Sequence, residues 1–289
     1  MPEKAGLRIV KTAAALREIV GAWRKGPDTI GFAPTMGNLH AGHMSLVDGL
    51  RDQGATRIIS SIFVNPTQFG PNEDFSTYPR TFDADCAQLE AAGVDVLFAP
   101  EVSEIYPESG GPAAEIDIAG LSSDLCGAFR PGHFTGVLTV VAKLLNLTCP
   151  HLAAFGEKDF QQLVMIGKMV ESLCFPVRIV PVATGRDEDG LALSSRNQYL
   201  SADERKIAPK LRQELLAAGC KLEAGAATSD VESQATEALL GVGFSVDYFS
   251  VRAADDLAVI GSARGQMVVL AAVRLGKTRL IDNLCVELA

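Results

Sequence analysis

Short apolar runs alternate with longer segments of helical hydrophobic spacing along the chain as far as residue 182. A short apolar run bounded by polar residues is typical of a buried strand, whereas apolar positions three to four residues apart are typical of a helix. The predicted strands are 29–33, 57–64, 95–99, 152–155 and 177–182, and the predicted helices are 12–24, 42–53, 83–92, 135–147 and 158–173. Such alternation predicts an α/β fold with a doubly wound parallel sheet and helices on both faces.

The pattern changes after a polar, glycine-containing stretch at 185–190. Beyond it, two segments have helical spacing and three have the alternation of antiparallel strands. The predicted helices are 202–223 and 229–240, and the predicted strands are 245–252, 266–274 and 278–281. We therefore expect two domains: residues 1–185 with the parallel sheet, and residues 186–289 as a smaller α+β lid domain with an antiparallel sheet.

Composition excludes some classes of protein. No apolar run approaches the roughly 20 residues of a membrane span, and Met1–Gly6 lack the pattern of a signal peptide, so we expect a cytoplasmic protein without membrane contact. The six cysteines form no CxxC pair, and we expect them to be buried, reduced thiols. A formal net charge of −9 argues against a nucleic-acid partner.

Two of the four histidines, His40 and His43, lie in Pro34–His43, between a predicted strand and a predicted helix. At such a junction the free N–H groups and the positive end of the helix dipole favour phosphate. We expect Gly37 and Gly42 to permit a tight turn and the imidazoles to donate to phosphate oxygens. Metal binding by the pair is disfavoured because zinc needs a third ligand. Taken alone, the segment also fits a structural turn with incidental histidines.

Two further segments contain residue types that bind oxyanions. Gly156–Gln162 follows an apolar run and brings a lysine, a carboxylate and two amides to a second strand-to-helix junction. Asp187–Asn197 contains two serine hydroxyls and a guanidinium. By themselves, these segments also fit a capped helix start and a solvated serine-rich loop.

Together these segments resemble the pantothenate synthetase, or pantoate–β-alanine ligase, family. The resemblance runs from about Pro34 to Ser201. The HxGH run alone indicates only a wider group of Rossmann-like nucleotidyl-transferring enzymes. The phrases that narrow the resemblance to this family are Asn65–Phe69, Gly156–Gln162 and Leu193–Asn197. The resemblance reappears near the end of the chain, at Arg279–Asn283.

The resemblance implies an ATP-dependent ligase of pantothenate biosynthesis. The carboxylate of pantoate would attack the α-phosphorus of ATP, giving pantoyl adenylate and pyrophosphate, and β-alanine would then displace AMP to form an amide. It also implies a Rossmann-like first domain, Mg²⁺ bound with ATP, and a homodimer formed through the first domain.

The resemblance further implies sets of site residues, whose cationic and hydroxyl groups suit a triphosphate approached by a second anion. The expected catalytic residues are His40, His43, Lys158, Ser194, Ser195 and Arg196. The expected ATP contacts are these six together with Pro34, Thr35, Met36, Gly37, Gly156, Asp159, Gly185 and Leu193. The expected contacts to pantoate or β-alanine are Met36, Asn65, Gln68 and Gln162. The expected metal ligands are Asp85 and Gln88.

The remaining histidines and some departures from the family pattern qualify these expectations. His133 is expected to shape the pocket wall, and His151 is expected to have a surface or strand-end role. Ala84 stands where some members of the family carry a second acid, so the resemblance implies fewer protein ligands for the metal here. Gly185 stands where the family more usually has a branched residue, at a position that the resemblance places beside the adenine.

Two alternative functions stay open. One is a nucleotidyltransferase that stops at the adenylated product, and the other is a silent nucleotide-binding protein that makes no product. Pyrophosphate exchange and AMP release would separate them from the ligase. A dehydrogenase is disfavoured because no GxGxxG follows the first predicted strand.

Overall fold

The computed structural model describes residues 6–71, 73–107, 111–260 and 264–288. Met1–Ala5, on which the expectation about a signal peptide rests, lie outside the described residues. The described residues form two compact units. The first contains the residues up to Gly156 together with Met165–Val182, and the second contains Glu157–Val164 together with the residues from Ala183 onward. The predicted boundary between residues 185 and 186 stays a prediction.

Among the described residues, each unit contains one sheet. The strands of the first unit are β1 (Arg8–Val10), β2 (Ile30–Thr35), β3 (Arg57–Ile62), β4 (Val96–Phe98), β5 (Leu152–Gly156) and β6 (Arg178–Val182). Those of the second are β7 (Ser245–Ala253), β8 (Gly265–Leu275) and β9 (Thr278–Leu288). The first sheet is parallel throughout, in the order β1-β4-β3-β2-β5-β6, and the second is antiparallel, in the order β7-β8-β9. The predicted fold class is confirmed.

The helices of the described residues follow the predicted alternation. They are α1 (Ala13–Trp23), α2 (Ala41–Asp52), α3 (Phe82–Ala91), α4 (Val102–Ile105), α5 (Cys126–Phe129), α6 (His133–Thr148), α7 (Phe160–Ser172), α8 (Ala202–Ile207), α9 (Lys210–Glu223) and α10 (Thr228–Gly241). Short 3₁₀ turns cover Pro66–Gln68, Glu157–Asp159 and Ser195–Tyr199. None of these helices is both long enough and apolar enough to span a bilayer.

Apolar side chains of the strands and helices form a core in each unit. In the first, Leu46 and Leu50 of α2 share a buried cluster with Ala33 of β2 and Ile58 of β3. Helix α6 packs against α1 and β2 and is buried over most of its length, as expected for a helix that is apolar on nearly all sides. In the second unit, apolar residues of α9 and α10 pack on the antiparallel sheet.

Strand β2 lies at the topological switch point of the parallel sheet. It pairs with β3 on one side and with β5 on the other. Open α/β sheets bind ligands beyond the carboxyl ends of such strands. The segment with the two histidines begins at the end of β2, and Gly156 is the last residue of β5. Two predicted binding segments therefore begin at neighbouring strand ends.

Two predicted elements were wrong in extent. The helix predicted over 202–223 is two helices, α8 and α9, separated by Ala208 and Pro209. Proline has no N–H to donate to the preceding turn, which explains the break. The strand predicted to end at Ile281 continues to Leu288, because β9 pairs with β8 as far as that residue. The polar pair Asp282 and Asn283 lies buried within β9. The short elements β1, α4 and α5 were not predicted.

The six cysteines are free thiols, as expected, but their predicted burial was right for Cys126 and wrong for the four that are exposed. Cys126 is buried and Cys86 is half-buried. The exposed ones are Cys149, Cys174, Cys220 and Cys285.

Candidate active site

The turn between β2 and α2 has two residues with left-handed backbone conformation. Gly37 has φ +85° and Asn38 has φ +50°. His40 then adopts an extended conformation as the N-cap of α2. The predicted turning role of Gly42 was wrong, because Gly42 is already the second residue of α2. Glycine at position 37 and asparagine at 38 are the residue types that tolerate positive φ best.

The carboxylate of Asp85, in α3, binds backbone N–H groups of this turn. Its Oδ2 accepts from Asn38 N at 2.9 Å and its Oδ1 from Leu39 N at 2.8 Å, and its carboxylate is buried. Gln88 Nε2 donates to Leu39 O at 3.4 Å. Both residues predicted to bind metal thus contact the turn. Among the described residues, no group of three or more His, Cys, Asp or Glu is arranged to hold a metal ion.

The two imidazoles lie together at the N-terminus of α2, with ring centroids 4.1 Å apart. His43 Nδ1 accepts from His40 N at 3.2 Å. Since this nitrogen accepts, the proton of the neutral His43 ring is on Nε2. His43 can therefore donate a hydrogen bond to an anion, in the region where the free N–H groups of α2 also attract negative charge.

The structure brings together three residues predicted to contact pantoate or β-alanine. Asn65 Nδ2 donates to Gln68 Oε1 at 3.0 Å, and Gln68 Nε2 lies 3.1 Å from Met36 Sδ. Asn65 is buried and caps the 3₁₀ turn that carries Gln68. A thioether is a weak acceptor, so the Gln68 amide keeps most of its capacity to donate to a carboxylate or a hydroxyl.

Two residues that were not predicted to belong to the site form hydrogen bonds with Asn65. Tyr106 Oη donates to Asn65 Oδ1 at 2.9 Å, and Asn65 Nδ2 also donates to Gly136 O at 3.1 Å. Burial raises the pKa of Tyr106, although its hydrogen bond with Thr67 acts in the opposite direction. The phenol is therefore protonated at neutral pH and can act as the donor. Neither Tyr106 nor Gly136 stands in a motif with Asn65, so no local sequence signal marks them.

In the second unit, the 3₁₀ turn with Lys158 and Asp159 is held from β9. Asn283 Nδ2 donates to Glu157 O at 2.8 Å and to Lys158 O at 3.0 Å. The resemblance included Arg279–Asn283 but gave Asn283 no role. The structure gives it one, because these two bonds fix the backbone from which Lys158 and Asp159 project.

The predicted residues between 185 and 196 form a paired segment in the second unit. Leu193 N donates to Gly185 O at 2.9 Å, so these two predicted ATP contacts are backbone partners. Ser194 caps the next 3₁₀ turn by accepting from Arg196 N at 3.2 Å. Arg186 also binds Asp282 through two bonds, at 2.7 and 2.9 Å.

Each unit therefore contains part of the predicted set. In the first unit lie Pro34, Thr35, Met36, Gly37, His40, His43, Asn65, Gln68, Asp85, Gln88 and Gly156. In the second lie Lys158, Asp159, Gln162, Gly185, Leu193, Ser194, Ser195 and Arg196. Of the other histidines, His151 begins the approach to β5 and its Nδ1 accepts from Ile30 N at 2.9 Å, which confirms its strand-end position.

Comparison with known proteins gives matches over nearly the whole chain. The family model described as pantoate-beta-alanine ligase matches residues 8–285. A pantothenate synthetase from Paramagnetospirillum magneticum is 52% identical over 283 residues, which is 97% of this chain and 98% of that protein. One from Methylococcus capsulatus is 48% identical over 283 residues, which is 98% of this chain and 99% of that protein.

Solved structures with the same fold include two that cover both chains almost completely. The crystal structure of pantothenate synthetase from Thermus thermophilus has a TM-score of 0.89 and 44% identity, and the match covers 96% of this chain and 98% of that one. A pantoate-beta-alanine ligase from Francisella tularensis, complexed with beta-gamma ATP and β-alanine, has a TM-score of 0.80 and 34% identity. That match covers 96% of this chain and 97% of the Francisella chain.

Proposed function

Because the chain belongs to the pantoate–β-alanine ligase family, we propose that its ATP-dependent ligation proceeds through a pantoyl adenylate. In the first step a carboxylate oxygen of pantoate attacks the α-phosphorus of ATP, and pyrophosphate leaves. In the second step the amine of β-alanine attacks the acyl carbon, loses a proton, and AMP leaves. The products are pantothenate, AMP and pyrophosphate.

The start of α2 is the observation that carries this proposal. The N–H groups of the first turn of α2 and the Nε2–H of His43 form an array of donors that suits phosphate oxygens. The imidazole of His40 is assigned to the same phosphates on the resemblance. Negative charge grows on the α-phosphate and on the leaving pyrophosphate during the first step. Donors fixed in advance stabilise that charge at no further cost in reorganisation.

Residues of the second unit are assigned to the same nucleotide on the resemblance. Lys158 supplies a mobile positive charge, and Arg196 supplies a planar guanidinium that suits two oxygens at once. Ser194 and Ser195 supply hydroxyl donors, and the carboxylate of Asp159 accepts from ribose hydroxyls. The remaining proposed ATP contacts, drawn from both units, are Pro34, Thr35, Met36, Gly37, Gly156, Gly185 and Leu193.

The cluster of Met36, Asn65 and Gln68 is the proposed pantoate site, to which the resemblance adds Gln162. Carboxamides suit pantoate because they donate to its carboxylate and accept from its hydroxyls. In the structure Asn65 already fixes Gln68 Oε1 as an acceptor, and Gln68 Nε2 faces only the weak acceptor Met36 Sδ, so its N–H groups suit an anion.

Mg²⁺ is part of the proposal as the ion that accompanies ATP. Within the part of the chain that the structure describes, the acidic and histidine side chains form no dedicated site for it, and the carboxylate oxygens of Asp85 accept from backbone N–H groups. Mg²⁺ in nucleotide enzymes commonly keeps several waters and takes phosphate oxygens as ligands. We therefore assign no step of the reaction to a protein-held metal. Asp85 and Gln88 stay predictions as ligands.

Two further parts of the proposal concern assembly and compartment. A homodimer formed through the first unit follows from the resemblance, and sedimentation of the purified chain tests it. A cytoplasmic location is supported by the six free thiols, since exposed cysteines are kept reduced in that compartment.

Isotope exchange between pyrophosphate and ATP tests the adenylate intermediate. We expect exchange with pantoate, ATP and Mg²⁺ in the absence of β-alanine, because the first step is reversible and needs no amine. We expect pantothenate and stoichiometric AMP only when β-alanine is added. Exchange without pantoate would contradict the substrate assignment. Exchange with pantoate but no AMP release on addition of β-alanine would favour an enzyme that stops at the adenylate.

A further inference from the structure

A chain of hydrogen bonds leads from a carboxylate to the backbone of Gln68. Arg130 binds Glu73 through two bonds, Nε to Oε1 and Nη2 to Oε2, each 2.6 Å long. Arg130 Nη1 lies 2.8 Å from His133 Nε2. His133 Nδ1 in turn lies 2.8 Å from the carbonyl oxygen of Gln68. All four residues belong to the first unit.

The chemistry of the partners determines where the proton of His133 lies. A guanidinium has donors and no acceptor, so His133 Nε2 accepts from Arg130. A carbonyl oxygen has no proton to give, so His133 Nδ1–H donates to Gln68 O. The ring is therefore neutral and in the Nδ1–H form. Glu73 keeps Arg130 oriented by its two bonds, since such paired bonds hold a guanidinium in one plane.

Helix α6 holds the turn Pro66–Gln68 at two more points. Gly136 lies three residues after His133, on the same face of the helix. A Cβ atom on Gly136 would lie 2.4 Å from Thr67 O and 2.8 Å from Gln68 N, so helix and turn meet backbone to backbone. The carbonyl oxygen of Gly136 accepts from Asn65 Nδ2, and the same amide group donates to Gln68 Oε1.

We propose that His133 is a positioning residue for the pantoate half of the reaction. Held by Arg130 in its Nδ1–H form, it fixes the carbonyl of Gln68, so that the Gln68 carboxamide projects from a rigid backbone towards the substrate. His133 itself touches neither pantoate nor ATP in this role. The inference rests on the proposed binding of pantoate by Gln68. The inference states that the proton on His133 Nδ1, through its hydrogen bond to Gln68 O, is what holds Gln68 in position.

Two variants of His133 separate the two nitrogens. In His133→Asn the side-chain amide takes the position of Nδ1, so it retains the donor to Gln68 O but loses the acceptor for Arg130. In His133→Gln the side-chain carboxamide reaches the position of Nε2, so it retains the acceptor for Arg130 but loses the donor to Gln68 O. The two changes remove one contact each and leave Gln68 itself intact.

Steady-state kinetics with each substrate varied in turn give the readout. For His133→Gln we expect the KM for pantoate to rise about tenfold, the effect of one lost hydrogen bond, with the KM values for ATP and β-alanine unchanged. For His133→Asn we expect the KM for pantoate to stay within about threefold of the wild-type value. Thermal unfolding reports the loss of stability separately, and a merely structural role would lower stability without this split between substrates.

Gln68→Ala serves as the reference that separates the two proposals. If it leaves the KM for pantoate unchanged, the proposed pantoate site is wrong and the inference falls with it. If Gln68→Ala raises that KM but His133→Gln does not, only the inference is overturned. Equal losses in His133→Asn and His133→Gln would also overturn it, because the Nδ1 proton would then not be the cause.

A further variant covers the case in which His133→Gln does not fold. Arg130→Lys replaces the planar guanidinium with a single ammonium group, which cannot bind both Glu73 and His133 in the observed geometry. We expect a rise in the KM for pantoate of about threefold to tenfold, with the KM for ATP unchanged. An unchanged KM for pantoate in a folded Arg130→Lys protein would overturn the inference.

Discussion

Gly37 is a single residue on which the turn between β2 and α2 depends. Its φ is +85°, and a Cβ there would lie 3.1 Å from Asp85 Oδ2 and 3.2 Å from Ile62 Cγ2. We expect Gly37→Ala to lower the free energy of unfolding by about 1–2 kcal/mol from the backbone strain alone. We also expect a loss of pyrophosphate exchange, because the same turn leads from Met36 to the histidines. Urea unfolding and the exchange assay measure the two effects.

Gly54→Ala is the matched control for Gly37→Ala. Gly54 has φ +92°, but no atom lies within 4 Å of a Cβ built there. The Gly54→Ala variant therefore has the backbone strain without a contact to Asp85. We expect a loss of stability similar to that of Gly37→Ala, with pyrophosphate exchange retained. Equal activity in the two variants would contradict the assignment of the turn to the phosphate site.

Lys158 is the residue for which the proposed function predicts the largest effect on rate. We expect Lys158→Ala to cost roughly 2.7–4 kcal/mol of transition-state stabilisation, by analogy with removal of one oxyanion donor. The thermal unfolding temperature should change little, because the side chain is only half-buried and the backbone of its turn is held by Asn283. Steady-state kcat with saturating substrates measures the loss.

Lys206→Ala is the control for the change of charge. Lys206 lies in the same unit, its side chain is 75% exposed, and its salt bridge with Asp203 is on the surface. Such exposed pairs contribute little, so activity and stability should both stay near wild type. A decrease in kcat of less than about tenfold in Lys158→Ala would contradict the assigned role of Lys158.

At the level of elements, the contact between α6 and the Pro66–Gln68 turn depends on Gly136. In Gly136→Ala the new methyl group meets the backbone of Thr67, which typically costs roughly 1–3 kcal/mol for overpacking. The higher helix propensity of alanine offsets about 1 kcal/mol of that. We expect a net loss of stability together with a higher KM for pantoate, measured by urea unfolding and kinetics.

Gly167→Ala, in α7, is the control for Gly136→Ala, and we expect it to have the opposite effect on stability. No atom lies within 4 Å of a Cβ at this position, so Gly167→Ala should keep or raise stability, by up to about 1 kcal/mol. Activity should stay near wild type. If Gly136→Ala and Gly167→Ala changed stability alike, the close approach of α6 to the turn would not matter energetically.

Elements with regular hydrophobic spacing were the ones predicted well. Helix α1 was predicted over 12–24 and runs from Ala13 to Trp23. The failures came where tertiary contacts override local pattern. The polar side chains of Asp282 and Asn283 led us to predict that the strand ends before them, yet both lie buried inside β9. Arg186 binds Asp282, and the carbonyls of Glu157 and Lys158 accept from Asn283. The sequence alone does not indicate which distant partners allow a polar residue to be buried.

The same distinction applies to the candidate site. His40, His43 and Gln68 were predicted because each stands in a short motif that can be read locally. Tyr106 and Arg130 were missed because their contacts are with residues 41 and 57 positions away in the chain, Asn65 and Glu73 respectively. Such contacts arise from the packing of α6 and its neighbours on the 3₁₀ turn, and no spacing rule marks them.

At the scale of the whole molecule, acid stability depends on which carboxylates have a lower pKa in the folded state than in the unfolded state. Burial acts to raise the pKa of Glu73, but hydrogen bonding to Arg130 and its charge outweigh burial and lower that pKa below its usual value of 4.5. The folded state therefore binds fewer protons at this site than the unfolded state. The stability contributed by Glu73 is present above pH 4.5 and is lost as the pH falls through the lowered pKa of the folded state.

Urea unfolding of wild type and Glu73→Gln over a range of pH tests this sign. The difference in unfolding free energy should be largest at neutral pH, shrink once the pH falls below 4.5, and vanish in stronger acid. Asp189→Asn is the control, because a hydrogen bond to Arg205 lowers the pKa of Asp189 as well, but its side chain is 43% exposed. Solvent and salt screen such a pair, so Asp189→Asn should change stability little at any pH. A difference for Glu73→Gln that stayed constant with pH would mean that packing, and not the charge of Glu73, stabilises the link between Glu73 and Arg130.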